Sequence, residues 1–388
     1  MRPQTLLLFI ALFSIKAQSQ ARYISEDASI SILTVAPGSA LNDAFGHSAF
    51  RVKDKKTHLD RVFDYGNFDY HAPNFYLNFA KGKLNYSIET RSYHNFIANY
   101  RAQNRTVRSQ ELDLNYAQKK RLFHYLMQNL KPENRNYLYD FFFDNCATKM
   151  KDITNIAVNN AIKFKAPKHL EEKTFRALIH DNVNRNSWGS FGIDIALGSV
   201  IDQPITPENY MFLPAYIHDF FTEARLDGHP LVKPSKTLFK SISRTKRTNF
   251  ITSPLCILGC FSLFILWITY RDYKRQNRSK WVDFILFIIT GVIGVFLLLL
   301  WFATDHTATA QNYNLLWAFA LNVLLAPQLL KAKTKTWIIK YIKLLLIFIC
   351  LMTLHWTIGI QVFAIGLIPL LIALTVRYVY LIRVLEVK

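Results

Sequence analysis

The chain has 388 residues and a formal net charge of +20 at pH 7. The surplus is divided between two compositionally different parts: 34 basic against 23 acidic side chains before residue 249, and thirteen against four from there on. On a domain tethered to a bilayer, such a surplus suits contact with anionic phospholipid headgroups. Nucleic-acid binding is the other usual explanation of a basic chain, and it is not expected of a domain outside the cytoplasmic membrane.

Residues 1–20 have the features of a secretory signal peptide. Arg2 precedes an apolar run over residues 6–13, and small residues follow near Ala17 and Ser19. This run is too short for an ordinary membrane span, so we predict cleavage between Ala17 and Ala21 and export of the residues after the cleavage site. A retained signal anchor is the alternative.

Residues 21–232 are predicted to form one exported α+β domain with a small antiparallel sheet. Alternation and β-branched content predict strands, and a period near 3.6 predicts helices. The strands are expected at 29–35, 47–53, 61–65, 84–90 and 106–114, and the helices at 73–81, 92–102, 116–130, 145–160, 170–181 and 207–226. The last helix is expected to lead towards the membrane, followed by a polar linker at 233–249.

From residue 250 to residue 388 the sequence is almost continuously apolar, and we predict an all-α bundle of five transmembrane helices. Each run is long enough to cross about 30 Å of hydrocarbon. The runs lie near 251–270, 282–303, 312–330, 337–355 and 359–380.

Basic residues fill the first and third connections and the tail of this bundle, whereas the second and fourth connections have none. The positive-inside rule therefore places the C-terminus in the cytoplasm and the exported domain in the periplasm, in agreement with the signal peptide. The expected location is the bacterial inner membrane.

Cys146 is the only cysteine expected outside the membrane, because Cys256, Cys260 and Cys350 fall within predicted spans. A lone thiol in an oxidising compartment has no partner for an internal disulfide. Asp144 or Asn145 is a natural N-cap for the next helix, so the sulfur is expected in the first helical turn, where N–H groups favour a thiolate and can hold an oxyanion. The alternative is a small buried hydrophobic residue.

His47 begins a predicted strand, and Asp64 lies in the next one. If the connecting turn centres near residue 56, the partner of His47 falls near residues 64–66, so Asp64 can orient the imidazole. Asn67 or Asp69 takes that place if the hairpin is shifted. Surface or core positions remain the ordinary explanation for each of these side chains alone.

Several motifs resemble the periplasmic domain of the Lnb-type lipoprotein N-acyltransferases of Bacteroidota. They are Pro37-Gly38, Phe45-Gly46-His47, Asp64-Tyr65-Gly66 with Phe68 and Asp69, Asn74-Phe75-Tyr76, Gly82, Tyr139-Asp140-Phe141 and Asp144-Asn145-Cys146. The resemblance extends through residues 198–214 and the apolar C-terminal region. The order of His47 and Cys146 is also similar to that of the permuted NlpC/P60, papain-like thiol enzymes.

The resemblance implies transfer of a fatty acyl chain from a membrane lipid, through a Cys146 thioester, to the α-amino group of the lipidated N-terminal cysteine of lipoproteins. His47 would act as base and acid, with Asp64 orienting it. The donor is either a separate phospholipid or the lipoprotein's own diacylglyceryl group. Ala147 departs from the Thr or Ser that family members often carry.

Three further residues are candidates for substrate or oxyanion contacts: Asn145 beside the thiol, and His306 and Asn312 in a predicted periplasmic loop without basic residues. The alternative for the loop is an ordinary solvated connection with an N-capped helix. The sequence has no histidines, cysteines or carboxylates at metal-ligand spacing and no Gly-rich phosphate loop, so no metal or cofactor is expected. A membrane-anchored thiol hydrolase and a non-catalytic receptor are the competing functions.

Overall fold

The computed structural model describes residues 23–168, 170–242, 249–331 and 334–386. The predicted signal peptide lies outside these residues. The described chain has two parts, a sheet domain up to about residue 242 and a helical bundle from residue 254.

The sheet domain is built on seven antiparallel strands in the order β10-β5-β1-β2-β3-β4-β6. A separate small sheet has the order β7-β8-β9. The strands are β1 Ser29–Val35, β2 His47–Asp54, β3 Leu59–Asn67, β4 Asn85–Ser92, β5 Val107–Glu111, β6 Asn136–Leu138, β7 Ile162–Lys163, β8 Arg225–Leu226, β9 His229–Pro230 and β10 Lys236–Phe239.

Helices cover both faces of the large sheet. Successive side chains of a strand point to opposite faces, and apolar side chains on both faces of this sheet are buried. In the sheet domain they are α1 Phe75–Ala80, α2 Tyr93–Ala102, α3 Tyr116–Asn129, α4 Cys146–Ala157, α5 Phe175–Asn182, α6 Trp188–Ala196 and α7 Pro214–Glu223. Ile32 and Phe50 belong to the larger core, which includes residues of α3, α4 and α7. Leu33 and Val62 pack on the other face with Phe96 of α2.

All five predicted strands occur, with β1 at its predicted bounds. The predicted helix at 207–226 is wrong as a single element: a short 3-10 helix at Pro207–Phe212 precedes α7, and the segment ends in β8. Pro214 separates the two helices because it has no N–H to continue the first. Helix α7 packs against α4 and β1, whereas α6, which was not predicted from the sequence, reaches the helical bundle.

The predicted linker at 233–249 is partly a strand. β10 pairs with β5 at the edge of the large sheet, and the backbone of Ile242 exchanges hydrogen bonds with the Asn104 side chain. The sheet domain therefore extends past residue 232, because the lone edge of β5 is satisfied by this segment.

Within the described residues, four helices of the bundle are long and apolar enough to cross a membrane, whereas five spans were expected. They are α8 Pro254–Arg275, α9 Lys280–Phe302, α11 Thr336–Thr357 and α12 Leu367–Glu386. The predicted run at 312–330 is divided into a 3-10 helix at Tyr313–Leu316, α10 Asn322–Leu325 and a second 3-10 helix at Ala326–Leu330.

The broken segment nevertheless runs along the length of α9. Thr309 donates to Leu300 O near one end of that helix, and Arg278, just before the other end, donates to Leu329 O. A Cβ at Gly291 would lie 2.3 Å from Val323 N, so this close approach requires glycine. The irregular backbone is thus enclosed by protein, which is the condition for tolerating it at membrane depth.

Polar side chains hold the broken segment inside the bundle. Asn322 is fully buried, donates to Thr290 Oγ1 at 2.9 Å and accepts from the Tyr341 hydroxyl at 2.5 Å. Arg377 of α12 pairs with Asp272 and Asp283 at 2.9 and 2.6 Å, tying α8, α9 and α12 together. These pairs satisfy groups that would be costly if left alone in an apolar interior.

Candidate active site

His47 and Asp64 are brought together on one face of the β2–β3 hairpin. Phe50 pairs with Phe63, and continuing that register sets His47 opposite Gly66, so Asp64 is its diagonal neighbour. The imidazole donates from Nε2 to Asp64 Oδ1 at 2.5 Å. The side chain of Asp64 is only 3% exposed and that of His47 18%, so the pair lies largely out of solvent.

Asp64 is also held by Arg91 on the neighbouring strand β4. Arg91 Nη2 lies 2.7 Å from Asp64 Oδ2, so each carboxylate oxygen has a cationic or donor partner. Arg91 was not predicted from the sequence as a site residue. The pairing of β3 with β4 would have indicated it. This register places Val62 opposite Arg91, which makes Arg91 the diagonal neighbour of Asp64.

The two alternatives for the orienting residue are placed elsewhere. Asn67 donates from its side chain to the backbone carbonyl of Asp64 at 2.6 Å and accepts from Arg91 at 3.2 Å. Asp69 is exposed and accepts from the His71 N–H at 2.8 Å, as a turn residue does. Asp64 is therefore the carboxylate that contacts His47.

Cys146 is the first residue of α4, as predicted, and Asn145 is the N-cap. Asn145 Oδ1 accepts from the N–H groups of Ala147 and Thr148 at 2.7 and 2.9 Å. Its Nδ2 donates to Phe141 O and Phe212 O at 2.7 and 2.8 Å. The Asn145 side chain is thus fully used within the protein.

The N–H of Cys146 itself donates to no protein group in the described parts of the chain. It lies at the positive end of a twelve-residue helix, where unpaired N–H groups attract negative charge. The thiol is half-buried, and the other three cysteines lie in α8 and α11. An oxygen anion formed next to the sulfur would therefore have the Cys146 N–H available as a donor.

Cys146 lies beside the end of β3. A Cβ built on Gly66, which has φ +91°, would lie 3.7 Å from the Cys146 Cβ. Only glycine adopts this φ readily and leaves the space beside the thiol open. From the sequence, Gly66 was noted only as part of the Asp64-Tyr65-Gly66 motif.

The electrostatics of the site favour a charged imidazole. Burial lowers the pKa of His47, but the neighbouring Tyr100, Asp64 and Cys146 outweigh it, so that the pKa lies well above its ordinary value. The thiol and the imidazole are neighbours in the fold, because Gly66, which stands opposite His47 in the continued β2–β3 register, would carry a Cβ 3.7 Å from the Cys146 Cβ. Nε2 is bonded to Asp64, and Nδ1 makes no hydrogen bond to another described residue.

Two tyrosines near Cys146 were not predicted as site residues. Burial, followed by the charge of Cys146, raises the pKa of both Tyr137 and Tyr139. The Tyr137 hydroxyl is buried without a hydrogen-bond partner in the described chain. Both phenols therefore stay protonated, and they add apolar surface to the surroundings of the thiol.

Asn312 and His306 lie at the junction of the two parts. Asn312 is 1% exposed and donates to Ile195 O and Ala196 O at 2.8 and 3.1 Å, so it caps the C-terminal end of α6. His306 donates from Nε2 to Phe79 O at 2.9 Å. The loop that carries them is thus a docking surface for the sheet domain.

Within the described residues, no group of three or more His, Cys, Asp or Glu side chains has an arrangement that could hold a metal ion.

Two family models match the chain. The model of the Lnb N-terminal periplasmic domain matches residues 16–181, and that of the Lnb transmembrane domain matches residues 245–388. No curated protein and no solved structure matches the chain significantly. The permuted NlpC/P60 core accordingly stays a prediction, whereas the two family models together match most of the sequence.

Proposed function

The chain belongs to the Lnb family and is a membrane protein with a periplasmic domain, and on that premise we propose that it is a lipoprotein N-acyltransferase with Cys146 as its nucleophile. The observation that carries the proposal is the largely buried His47–Asp64 pair, which lies next to a thiol at a helix start. Nucleophile, base and orienting acid in this arrangement are suited to acyl transfer through a covalent intermediate.

In the first step, His47 Nδ1 takes the thiol proton and Sγ attacks the ester carbonyl of a membrane lipid. The oxyanion that forms accepts a hydrogen bond from the Cys146 N–H. The C–O bond then breaks, the imidazolium gives its proton to the departing alcohol, and an acyl-thioester remains with a lysolipid.

In the second step, the α-amino group of a lipoprotein's lipidated N-terminal cysteine attacks the thioester. His47 accepts the proton from the nitrogen, the C–S bond breaks, and the thiolate leaves. The products are an N-acylated lipoprotein and the free enzyme. Asp64 holds the imidazole in the same orientation through both steps, and Arg91 holds Asp64.

The membrane helices support this assignment over a cell-wall hydrolase. Both proposed substrates are anchored in the bilayer, and four apolar helices are more than a soluble substrate requires for tethering. The inner membrane is the proposed location, with the C-terminus in the cytoplasm. The basic connection between α8 and α9 lies at the start of α9, whereas the loop after the other end of α9 contacts the periplasmic domain.

The test is substitution of Cys146 in cells that lack other copies of the enzyme. Cys146→Ala is expected to abolish N-terminal acylation of lipoproteins, measured by mass spectrometry of their N-terminal peptides. Cys350→Ala, which changes a free cysteine in α11, is the matched control and should leave acylation intact. Full acylation in the Cys146→Ala strain would contradict the proposal.

Transfer is separated from hydrolysis with purified full-length protein in vesicles of labelled phospholipid. Addition of a diacylated lipopeptide should move the label onto the peptide amine. Release of free fatty acid as the only product, with and without the peptide, would assign the protein to the hydrolases instead.

A further inference from the structure

The connection between β3 and β4 exposes large apolar side chains that no other part of the described chain covers. Tyr76 is 79% exposed, Phe79 56% and Leu77 51%, although all three belong to the short helix α1. Of this helix only Phe75 is buried. Several adjacent exposed apolar side chains on one element usually mark an interaction surface.

This helix is fixed to the place where the bundle meets the periplasmic domain. His306 donates to Phe79 O at 2.9 Å, and Asp305 N–H donates to Lys81 O at 2.9 Å. Both residues belong to the loop after α9, whose last residue, Phe302, is 73% exposed. The exposed side of α1 therefore lies level with the end of a membrane-spanning helix.

The chemistry of α1 at this level matches the lipid interface. Aromatic side chains concentrate at the boundary between hydrocarbon and headgroups, and lysines nearby contact anionic headgroups. Lys81 and Lys83 are both exposed at the C-terminal end of α1. Lys83 Nζ lies 3.7 Å from Asp305 Oδ2, so its side chain faces the loop after α9.

A series of aromatic contacts leads from α1 to the thiol. Phe75 contacts Phe68 with ring centroids 5.8 Å apart, and Phe68 contacts Tyr86 at 5.1 Å. Tyr86 stacks on Tyr139 at 4.1 Å. Tyr139 precedes Asp140, which exchanges backbone hydrogen bonds with Asp144, two residues before Cys146. We call Phe75, Phe68, Tyr86 and Tyr139 the aromatic path. Its last three members are half-buried, so they retain exposed apolar surface.

We propose that α1 is seated in the periplasmic leaflet of the bilayer and that the aromatic path guides the acyl chain of a membrane lipid from there to Cys146. The seating of α1 stands independently of the reaction, whereas the delivery of an acyl ester rests on the proposed transferase. Contact with the aromatic path would let the ester group reach the sulfur without exposing the whole acyl chain to water.

Photo-crosslinking tests the seating of α1 without any requirement for activity. Tyr76 or Phe79 is replaced by p-benzoylphenylalanine in full-length protein reconstituted in phospholipid vesicles. The matched control is Tyr23, whose side chain is 68% exposed. Tyr23 is two residues before Ser25, and Ser25 donates a hydrogen bond to Asp54. Asp54 ends β2, whereas His47 begins it, so the control lies far from the site along this strand. Phospholipid adducts at positions 76 and 79, with none at position 23, are expected. Absence of lipid adducts at positions 76 and 79 overturns the proposal, and so does equal labelling at all three.

The delivery step is tested by the rate at which Cys146 is acylated by vesicle phospholipid, measured by intact-protein mass spectrometry. The Tyr76→Ser/Phe79→Ser variant is expected to be acylated about tenfold more slowly, since interfacial binding scales with buried apolar area. Tyr23→Ser should match the unaltered protein. Equal rates for all three proteins would overturn delivery along α1. Failure of the unaltered protein to form a thioester would instead count against the proposed transferase, and the crosslinks would still decide the seating.

Discussion

Asp64 occupies a nearly solvent-free position and depends on two neighbours of opposite charge. His47 contacts one carboxylate oxygen and Arg91 the other, at 2.5 and 2.7 Å. A buried carboxylate is tolerated when it is paired and hydrogen-bonded in this way. Its orientation is fixed by three strands, so the imidazole it contacts is fixed as well.

The first prediction concerns the charge of this pair. The pKa of His47 is raised, so the imidazolium persists above the ordinary pKa of histidine and is lost only as the pH rises through the raised value. Asp64→Asn removes one cause of that shift. The basic limb of the rate of Cys146 acylation should therefore move to lower pH, and the rate itself should fall on the order of 100- to 10,000-fold.

The matched control for this prediction is Asp60→Asn on the same strand. Asp60 forms a partly exposed ion pair with Arg51 at 2.7 Å, away from the thiol. Its loss is expected to leave the pH profile unchanged, because exposed pairs contribute little. An unshifted basic limb in Asp64→Asn would show that Asp64 does not act through His47.

At the scale of elements, helix α4 positions the proposed nucleophile through its N-cap. Asn145 makes two bonds to the first turn and two to carbonyls of neighbouring segments. The helix start is therefore anchored to the residues before it and to Phe212. The sequence correctly predicted where this helix begins, because Asn and Asp are strongly favoured as N-caps.

The second prediction compares two asparagine caps. Asn145→Ala removes four hydrogen bonds, three of them buried, and should destabilise the protein by about 2 to 4 kcal/mol, as well as slow acylation of Cys146. Asn115 caps α3 at an exposed position with the same capping-box arrangement. Asn115→Ala should cost only about 1 kcal/mol and leave acylation unchanged. Thermal unfolding of the full-length protein in detergent measures the first effect, and equal shifts for the two variants would contradict the anchoring role of Asn145.

At the scale of the whole molecule, helix α6 joins the periplasmic domain to the bundle. Asn314 donates to Asp194 O at 2.9 Å, and Asn312 and Arg176 bond the carbonyls of the next residues. The unpaired carbonyls of a helix end are thus satisfied by side chains from the bundle as well as from the domain itself. The end of α6 is therefore bound to the bundle through the carbonyls of residues 194–196.

The third prediction tests this junction with two glycines. A Cβ at Gly198 would lie 1.8 Å from Ala310 O, whereas a Cβ at Gly192 would meet no atom within 4 Å. Gly198→Ala should therefore separate the domain from the 308–311 loop, lower the unfolding temperature and expose α6 to protease. Gly192→Ala, inside α6, should be neutral or stabilising by up to about 1 kcal/mol. Comparable proteolysis of the two variants would argue against close packing at Gly198.

The sequence predicted much of this protein because local rules govern much of it. Alternation and turn residues predicted the central strands, the N-cap predicted the start of α4, and the turn position predicted that Asp64 lies beside His47. The apolar runs indicated the membrane region, and the motifs indicated the family that the comparisons confirmed.

The tertiary structure decided the features that depend on contacts distant in sequence. Arg91 reaches Asp64 only because β4 pairs with β3, and β10 joins the sheet only because β5 has a free edge. The apolar run at 312–330 has the composition of a span, yet it is broken, because neighbouring glycines and buried polar groups of the bundle accommodate irregular backbone there. Composition reports how apolar a segment is; the partners that satisfy its backbone determine which conformation it takes.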